Sequence, residues 1–542
     1  MKNTALILTA LVLLTAVAIQ AEPVRINSLG YTPDAMKTAA VVSDATEFRL
    51  RKAASGRVVM KGRLSEPQQK QEVGQTLRYA DFSDFRKKGA YVVEIPGVGV
   101  SEVFRIGKEV YRMPFVTAMR AFYLWRCGMA VSADYGGQHY ATEACHLQDG
   151  YLDYVDPGHA GQTRDGTGGW HDAGDFGKYT VNAGVTVAVL FYAWDHFKDR
   201  LEKLPLQLPE TAPGFPEFLK EIKYETDFLL KMQYPDGSGR VSHKLTRRNF
   251  SGFVMPQEDQ EKRFFTEWSS AATADFVGMM AMAYRFFKPY DAAYAAQCLA
   301  AARLSWEALE KYGRHDFVQG DFSTGGYQTG DSDDRLWAAV EMWESTGEAQ
   351  FLADAEQRIA ARWTPVDSDW DWGSVGNLGI YTYILSARDG RDAGLVGKIK
   401  EAVVADADRL VAHSLSDAYG RALDRYYWGC NGTVARQAVN LHVADLLSPN
   451  PAYRQTILRN AAYLFGYNYY NRSFVTGLGI NPPMHPHDRR SGADGIEAPW
   501  PGYLVGGGHT STDWVDSQDD YARNEIAINW QAGLVYLLAA CL

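Results

Sequence analysis

Cysteine is scarce in this chain, and basic charge is not in excess. Only five cysteines occur in 542 residues, at positions 127, 145, 298, 430 and 541. An odd, scattered set excludes the dense disulfide framework that holds small secreted domains together. Lysine and arginine total 55 against 65 acidic residues, a net charge of −10. That balance argues against nucleic acid, because phosphate binding needs a basic face, and it suits a neutral partner such as a polysaccharide. Beyond the first twenty-odd residues no apolar run is long enough to read as a transmembrane helix. No HExxH-type pair occurs, which argues against a zinc hydrolase. No repeat is strong enough to indicate a solenoid.

What is present is the composition of a globular protein, 46% hydrophobic and 22% charged. The length suggests two to four domains. Fourteen Trp and 31 Tyr form a heavy aromatic load. Such rings stack on apolar sugar faces, although by itself the count favours a large core with Tyr and Trp at its rim. Lys2, the apolar stretch Ala5 to Ile19 and the small Ala21 before Glu22-Pro23 resemble a signal peptide over 1–21. The mature protein is expected to be secreted or periplasmic, free of the membrane after cleavage, and monomeric.

Residues 22–108 read as β. Val24 to Asn27 and Ala90 to Ile95 alternate, with glycine-containing turns between short runs, as in a small β-sandwich. From Tyr111-Arg112 onward helical periodicity takes over. Segments 269–287, 291–311, 334–346, 349–361, 397–413, 433–447, 452–465 and 520–540 are predicted helices, with another from Phe215 to Leu229. Residues 269–287 are small and apolar nearly all round, the pattern of a helix buried on most sides. A bundle, a solenoid and a closed ring of helical hairpins all fit this periodicity.

Three stretches carry chemistry. In GGWHDAGDFGKY (168–179), Asp172 and Asp175 lie three apart in a glycine-rich segment. Such a pair could hold a water between base and orienter; a calcium loop or helix N-capping are the alternatives. Glu525 precedes an apolar helical face formed by Ile526, Ile528, Leu534 and Leu537. Desolvation there would keep it protonated at neutral pH, whereas a capping or salt-bridged Glu is the ordinary reading. The proline-stiffened loop 480–494 presents His485, His487, Arg489 and Arg490, suited to sugar hydroxyls and carboxylates or simply to solvent.

Taken in order, RINSLGYTPDAMKTAAV (25–41), GGWHDAGDFGKY, YYWGCNGTVAR (426–436), SFVTGLGINPPMHPHDRRSGAD (473–494), PGYLVGG (501–507) and DDYARNEIAINWQA (519–532) resemble glycoside hydrolase family 9 with an N-terminal immunoglobulin-like domain. The resemblance implies a mainly α protein, an (α/α)6 barrel over 112–542 preceded by the β-sandwich. It implies an inverting endo-β-1,4-glucanase acting on cellulose or a related β-glucan. Asp175 is then the base that activates water, Asp172 its orienter and Glu525 the acid. His487, Arg489, Tyr521 and Trp428 become substrate contacts. Two positions depart from the pattern: Asp488 where a second histidine is common, and Cys430 where serine is common.

Cys127, Cys145, His146 and His171 offer two sulfur and two nitrogen ligands, a set that tetrahedral zinc accepts; filling all four positions would make the site structural. A Cys127–Cys145 disulfide or two unrelated buried thiols are the alternatives. The resemblance favours zinc, since some members of that family bearing the immunoglobulin-like domain hold it with a matching pattern. GYQTGDSDDRLWAAVE (326–341) resembles the family's calcium segment, with Asp333, Asp334, the Thr329 and Gly330 carbonyls and Asp371 as oxygen ligands. An acidic helix N-terminus explains the same residues. An exo-acting β-glucan or cello-oligosaccharide hydrolase (or exo-glucosaminidase) of the family and a non-catalytic carbohydrate-binding protein on the same scaffold remain rival functions. Retention of Asp172, Asp175 and Glu525 together speaks against the second. With no linker or appended module after the last helical segment, soluble or amorphous glucans are the expected substrates.

Overall fold

The computed structural model describes residues 23–542 apart from 156, 211–213 and 363. The expected signal peptide lies outside the described residues. Two antiparallel sheets come first. One orders the strands Val24–Arg25, Thr38–Val41, Gln75–Asp81 and Gln68–Lys70; the other orders Val58–Arg63, Glu47–Lys52 and Gly89–Ile95, the last also pairing with Gly99–Val100 and Phe104–Ile106. Alternation selects the inner faces. Phe48 and Leu50 of one strand and Tyr91, Val93 and Ile95 of its neighbour point inward, meeting Val41, Phe82 and Phe104 in a core of their own.

Helices follow: α1 (Arg112–Leu124), α2 (Thr180–Leu201), α3 (Glu217–Met232), α4 (Ser270–Phe287), α5 (Ala292–Tyr312), α6 (Ser332–Thr346), α7 (Ala349–Ala361), α8 (Gly376–Leu385), α9 (Ala393–Ser416), α10 (Cys430–Leu447), α11 (Pro451–Leu464), the single turn α12 (Tyr521–Asn524) and α13 (Ile528–Cys541). Contacts run α2–α4–α6–α8–α10–α13 and back to α2, a closed inner ring of six. The outer helices lie against that ring, α5 on α4, α7 on α6 and α11 on α10. This is an (α/α)6 barrel, preceded by the β-rich region.

Sequence separates the two layers. Outer α3 buries one face, with Phe218, Leu219, Ile222, Phe228 and Leu229 inward. Inner α4 is buried on nearly every side, as its small apolar composition implies. Close approach explains the small residues: a Cβ at Gly278 of α4 would strike the Trp337 ring of α6. One expectation needs correction. The periodicity over 520–540 is not one helix; it breaks between α12 and α13, and Glu525 lies in the break with φ −70° and ψ 159°. Helical spacing does not register an extended break of three residues.

Candidate active site

Segment 168–179 folds as a buried loop fastened beside α1. The Cys127 amide donates to the Gly169 carbonyl at 2.8 Å, and the His171 amide to the Trp125 carbonyl at 2.9 Å. Asp172 Oδ1 accepts from Asn182 Nδ2 at 2.7 Å, and Oδ2 from the Tyr327 hydroxyl at 2.6 Å. Asp175 Oδ2 accepts from the Gly177 amide at 2.9 Å and the Tyr179 hydroxyl at 3.1 Å. The Tyr179 oxygen is fixed in turn by the Gly325 amide at 3.1 Å. Gly174 is required where the histidine loop crosses, because a Cβ there would collide with the His487 carbonyl. Arg489 closes that crossing, its amide and Nη1 donating to the Gly174 carbonyl at 3.1 and 2.8 Å.

Glu525 is held by backbone pairing on both sides. Its extended segment bridges His487, while Ile526 pairs with Val505 and Ala527 with Ala173. The Ile528 amide donates to the Asp172 carbonyl at 2.8 Å, so Glu525 and the two aspartates sit on adjoining segments. Asp172, Asp175 and Glu525 line one cleft of about 790 Å³, together with Tyr327, Trp372, Trp428, His487, Arg489, Tyr521 and Trp530. Trp428 and Tyr521 are 48% and 53% exposed, with ring centroids 5.5 Å apart. His487 lies 6.0 Å from Tyr521, its Nδ1 2.7 Å from the Gln518 carbonyl.

Two of the three carboxyl groups are shifted upward. Burial, and then the charge of Asp175, push Glu525 well above the ordinary carboxylate range. The same two causes push Asp172 up to about 8, opposed by the Tyr327 and Asn182 hydrogen bonds. A buried carboxyl that keeps its proton at neutral pH is the form a general acid needs.

The two departures in the motifs do not reach this chemistry. Asp488 is buried away from the cleft, paired with Arg490 at 3.1 Å and accepting from the Ser491 hydroxyl at 2.8 Å. Cys430 begins α10, its thiol 3.4 Å from the Gly508 carbonyl.

With this geometry in place, comparison with known proteins is decisive. The family description "Glycosyl hydrolase family 9" matches residues 111–538, and "Cellulase N-terminal ig-like domain" matches 20–100. The chain belongs to glycosyl hydrolase family 9. It is a glycoside hydrolase. It is 51% identical over 520 residues to Endoglucanase D of Acetivibrio thermocellus, covering 95% of this chain and 83% of the relative. It is 31% identical to a cellodextrinase of Butyrivibrio fibrisolvens over 96% of this chain and 99% of that protein. A solved structure titled "Bacteroides ovatus GH9" superposes with a TM-score of 0.89 at 30% identity, covering 96% of this chain and 98% of that one.

This family 9 chain also carries a cluster able to hold a metal. The ligand atoms of Cys127, Cys145, His146 and His171 lie within 4.8 Å of one another. Cys127 Sγ is 3.6 Å from His146 Nδ1, Cys145 Sγ 3.8 Å from His171 Nε2, and the two nitrogens are 3.4 Å apart. Tetrahedral zinc with these donors requires S···N of about 3.6 Å and N···N of about 3.3 Å, so the residues fit. All five cysteines are free thiols, not the disulfide alternative. Burial pushes His171 down to about 4, leaving a neutral imidazole able to coordinate.

The three carboxylates expected at calcium take separate partners. Asp333 Oδ2 accepts from the Val375 amide at 2.6 Å. Asp334 turns inward to Asp275, and burial raises both well above the carboxylate range. Asp371 is held by Arg436 at 2.9 Å and Asn529 at 2.8 Å and lines the cleft. Among the described residues they form no cluster of three or more His, Cys, Asp or Glu ligand atoms. A motif match cannot show which way each carboxylate turns.

Tyr327, Asn182, Tyr179 and Trp372 are site residues that sequence reasoning missed. Tyr179 was signalled by its place four residues after Asp175 in the same motif; the rest arrive from separate helices and loops. Behind the loop, Glu225 of α3 accepts from the Trp170 amide at 2.6 Å, and burial raises it to about 8. The folded state therefore keeps a proton that the unfolded chain releases near the ordinary glutamate value of 4.5. Folding stability falls as pH rises between those values, by about 1.4 kcal/mol per unit for this group. Glu225→Gln keeps an acceptor but no titrating proton. Between about pH 5.5 and 7.5 its melting temperature should decline less steeply than that of the unsubstituted enzyme. Parallel curves would show that Glu225 is ionised in the folded protein.

Proposed function

We propose that this enzyme cleaves internal β-1,4-glucosidic bonds of cellulose-like glucans by a single displacement with inversion. Glu525 protonates the departing glycosidic oxygen, Asp175 takes the proton of the attacking water, and Asp172 orients that water. The observation that carries the reading is the constellation within one cleft: Glu525, a buried carboxyl that holds its proton, lies there with Asp172 and Asp175, which are fixed by Tyr327, Asn182 and Tyr179. Trp428 and Tyr521 supply exposed rings for sugar stacking, and His487 and Arg489 supply polar contacts beside them. The cellodextrinase relative keeps a chain-end mode of attack as the second reading.

One pair of measurements tests both points. Proton NMR during early turnover should show the α-anomer of the new reducing end first. Viscosity of a soluble β-glucan should drop far ahead of reducing-sugar release. Initial β-anomer would overturn inversion; viscosity falling only in step with product would favour chain-end attack.

The metal cluster we read as structural zinc, because four protein ligands leave no open position for a substrate. It fastens the base-bearing loop, since His171 directly precedes Asp172. The division into residues 22–108 and 112–542, and export after cleavage at Ala21, belong to the same proposal. Among the described residues no helix is long and apolar enough to cross a membrane.

A further inference from the structure

The metal cluster and the cleft are joined by an ion pair that neither the proposed catalysis nor the ligand set uses. His146 turns Nδ1 toward Cys127 and His171, so its remaining nitrogen, Nε2, carries the hydrogen when Nδ1 coordinates. Nε2 lies 3.4 Å from Asp259 Oδ2, and both side chains are 1% exposed. The other Asp259 oxygen accepts from Arg247 Nη1 at 2.6 Å. A buried carboxylate that receives the outer N–H of a metal-binding histidine fixes its tautomer and ring orientation, and its loss weakens metal binding about 10–100-fold.

Arg247 opens the segment that forms one wall of the cleft. It follows the strand Lys244–Thr246, which pairs with Lys178–Tyr179 at the end of the base loop. Phe250 and Phe253, further along, are 46% and 38% exposed. Phe250 lines the cleft with Asp175 and Arg489, the guanidinium lying 5.3 Å from its ring centre. Phe253 meets His487 at 5.4 Å, extending the aromatic rim that runs through Tyr521 to Trp428. Among the contacts that hold this wall are Arg489 Nε donating to the Ser251 carbonyl at 3.1 Å, the Ser323 amide donating to the Arg248 carbonyl at 2.8 Å, and the Arg247–Asp259–His146 link.

We propose that Asp259 is a positioning residue that fixes His146 on the metal and, through Arg247, couples metal occupancy to the cleft wall whose Phe250 and Phe253 bind sugar rings. The inference rests on the zinc reading above. Its energetic signature follows from the rings' distance from bond making. Stacking is felt equally by bound substrate and transition state, so disturbing the wall raises KM and leaves kcat nearly unchanged.

The test uses the full-length enzyme, Zn²⁺ titrated against a chromophoric chelator, and cello-oligosaccharide kinetics. Asp259→Asn should bind zinc about 10–100-fold more weakly. At limiting zinc its KM should rise several-fold with kcat within about twofold, and excess zinc should restore most of that loss. Asp259→Glu should recover part of the zinc affinity. Arg247→Met breaks the outer half of the link, together with the pairing of Arg247 Nη2 to the exposed Glu261 at 2.7 Å: its zinc affinity should stay within a few-fold, while KM rises and no longer responds to zinc. This second variant decides the coupling even if Asp259→Asn folds poorly. Unchanged zinc affinity in Asp259→Asn, or a KM indifferent to zinc in the unsubstituted enzyme, would overturn the proposal. Native mass spectrometry that finds no zinc in the unsubstituted enzyme removes the zinc reading itself, and the coupling with it.

Discussion

Glu525→Gln is expected to lose about 10²–10⁴-fold in rate on cellulose while still binding it. The glycosidic oxygen of a glucan is a poor leaving group, so departure requires a proton delivered as the bond breaks. On the proposed assignment Glu525 meets that need, since burial and the Asp175 charge keep its carboxyl protonated. Glutamine has nearly the same shape, and the backbone pairing to His487 and Val505 does not involve the side chain. The loss should therefore be chemical, equivalent to about 3–5 kcal/mol of barrier. An activated aryl glycoside that the cleft accepts departs with little protonic help and should lose much less. Azide should not rescue the variant with a retained β-glycosyl azide, because a single displacement forms no glycosyl-enzyme intermediate. Equal losses on both substrates, or azide rescue, would remove the acid role from Glu525.

The parts of this site that were legible in the sequence are those that sit on one contiguous segment. Asp172 and Asp175 share a loop, and Glu525, His487 and Arg489 each lie in a motif of their own. All of these line the cleft. The all-round apolar pattern of residues 269–287 identified a buried helix, and α4 belongs to the inner ring. What sequence could not convey is direction and juxtaposition. Tyr327 reaches Asp172 across 155 positions, from a segment read only for calcium, and no periodicity relates the two. Asp371 was expected at a metal, yet Arg436 and Asn529 turn its carboxylate to the cleft. The extended break at Glu525 was hidden for a related reason. Apolar residues on both sides keep a helix-like spacing, and pairing with Ala173, His487 and Val505 holds those few residues out of helix.

Asp175→Asn is the complementary experiment, and its effect should not depend on the leaving group. A water attacking the anomeric carbon must shed a proton whichever group departs, so cellulose and an activated aryl glycoside should both fall steeply, by about 10²–10⁴-fold. The asparagine oxygen still accepts from the Gly177 amide and the Tyr179 hydroxyl, so the loop should hold its shape. Substrate affinity should also persist, because Trp428, Tyr521 and Arg489 are untouched. One secondary effect runs the other way. The Asp175 charge helps raise Glu525 and Asp172, so removing it lets both carboxyls lose their protons more easily. Whatever activity remains in Asp175→Asn should therefore decline at lower pH on the alkaline side than in the unsubstituted enzyme. Together the two variants separate the roles by leaving group: Glu525→Gln discriminates between substrates and Asp175→Asn does not. Should Asp175→Asn spare activity while Glu525→Gln abolishes it on every substrate, the acid and base would have to be reassigned.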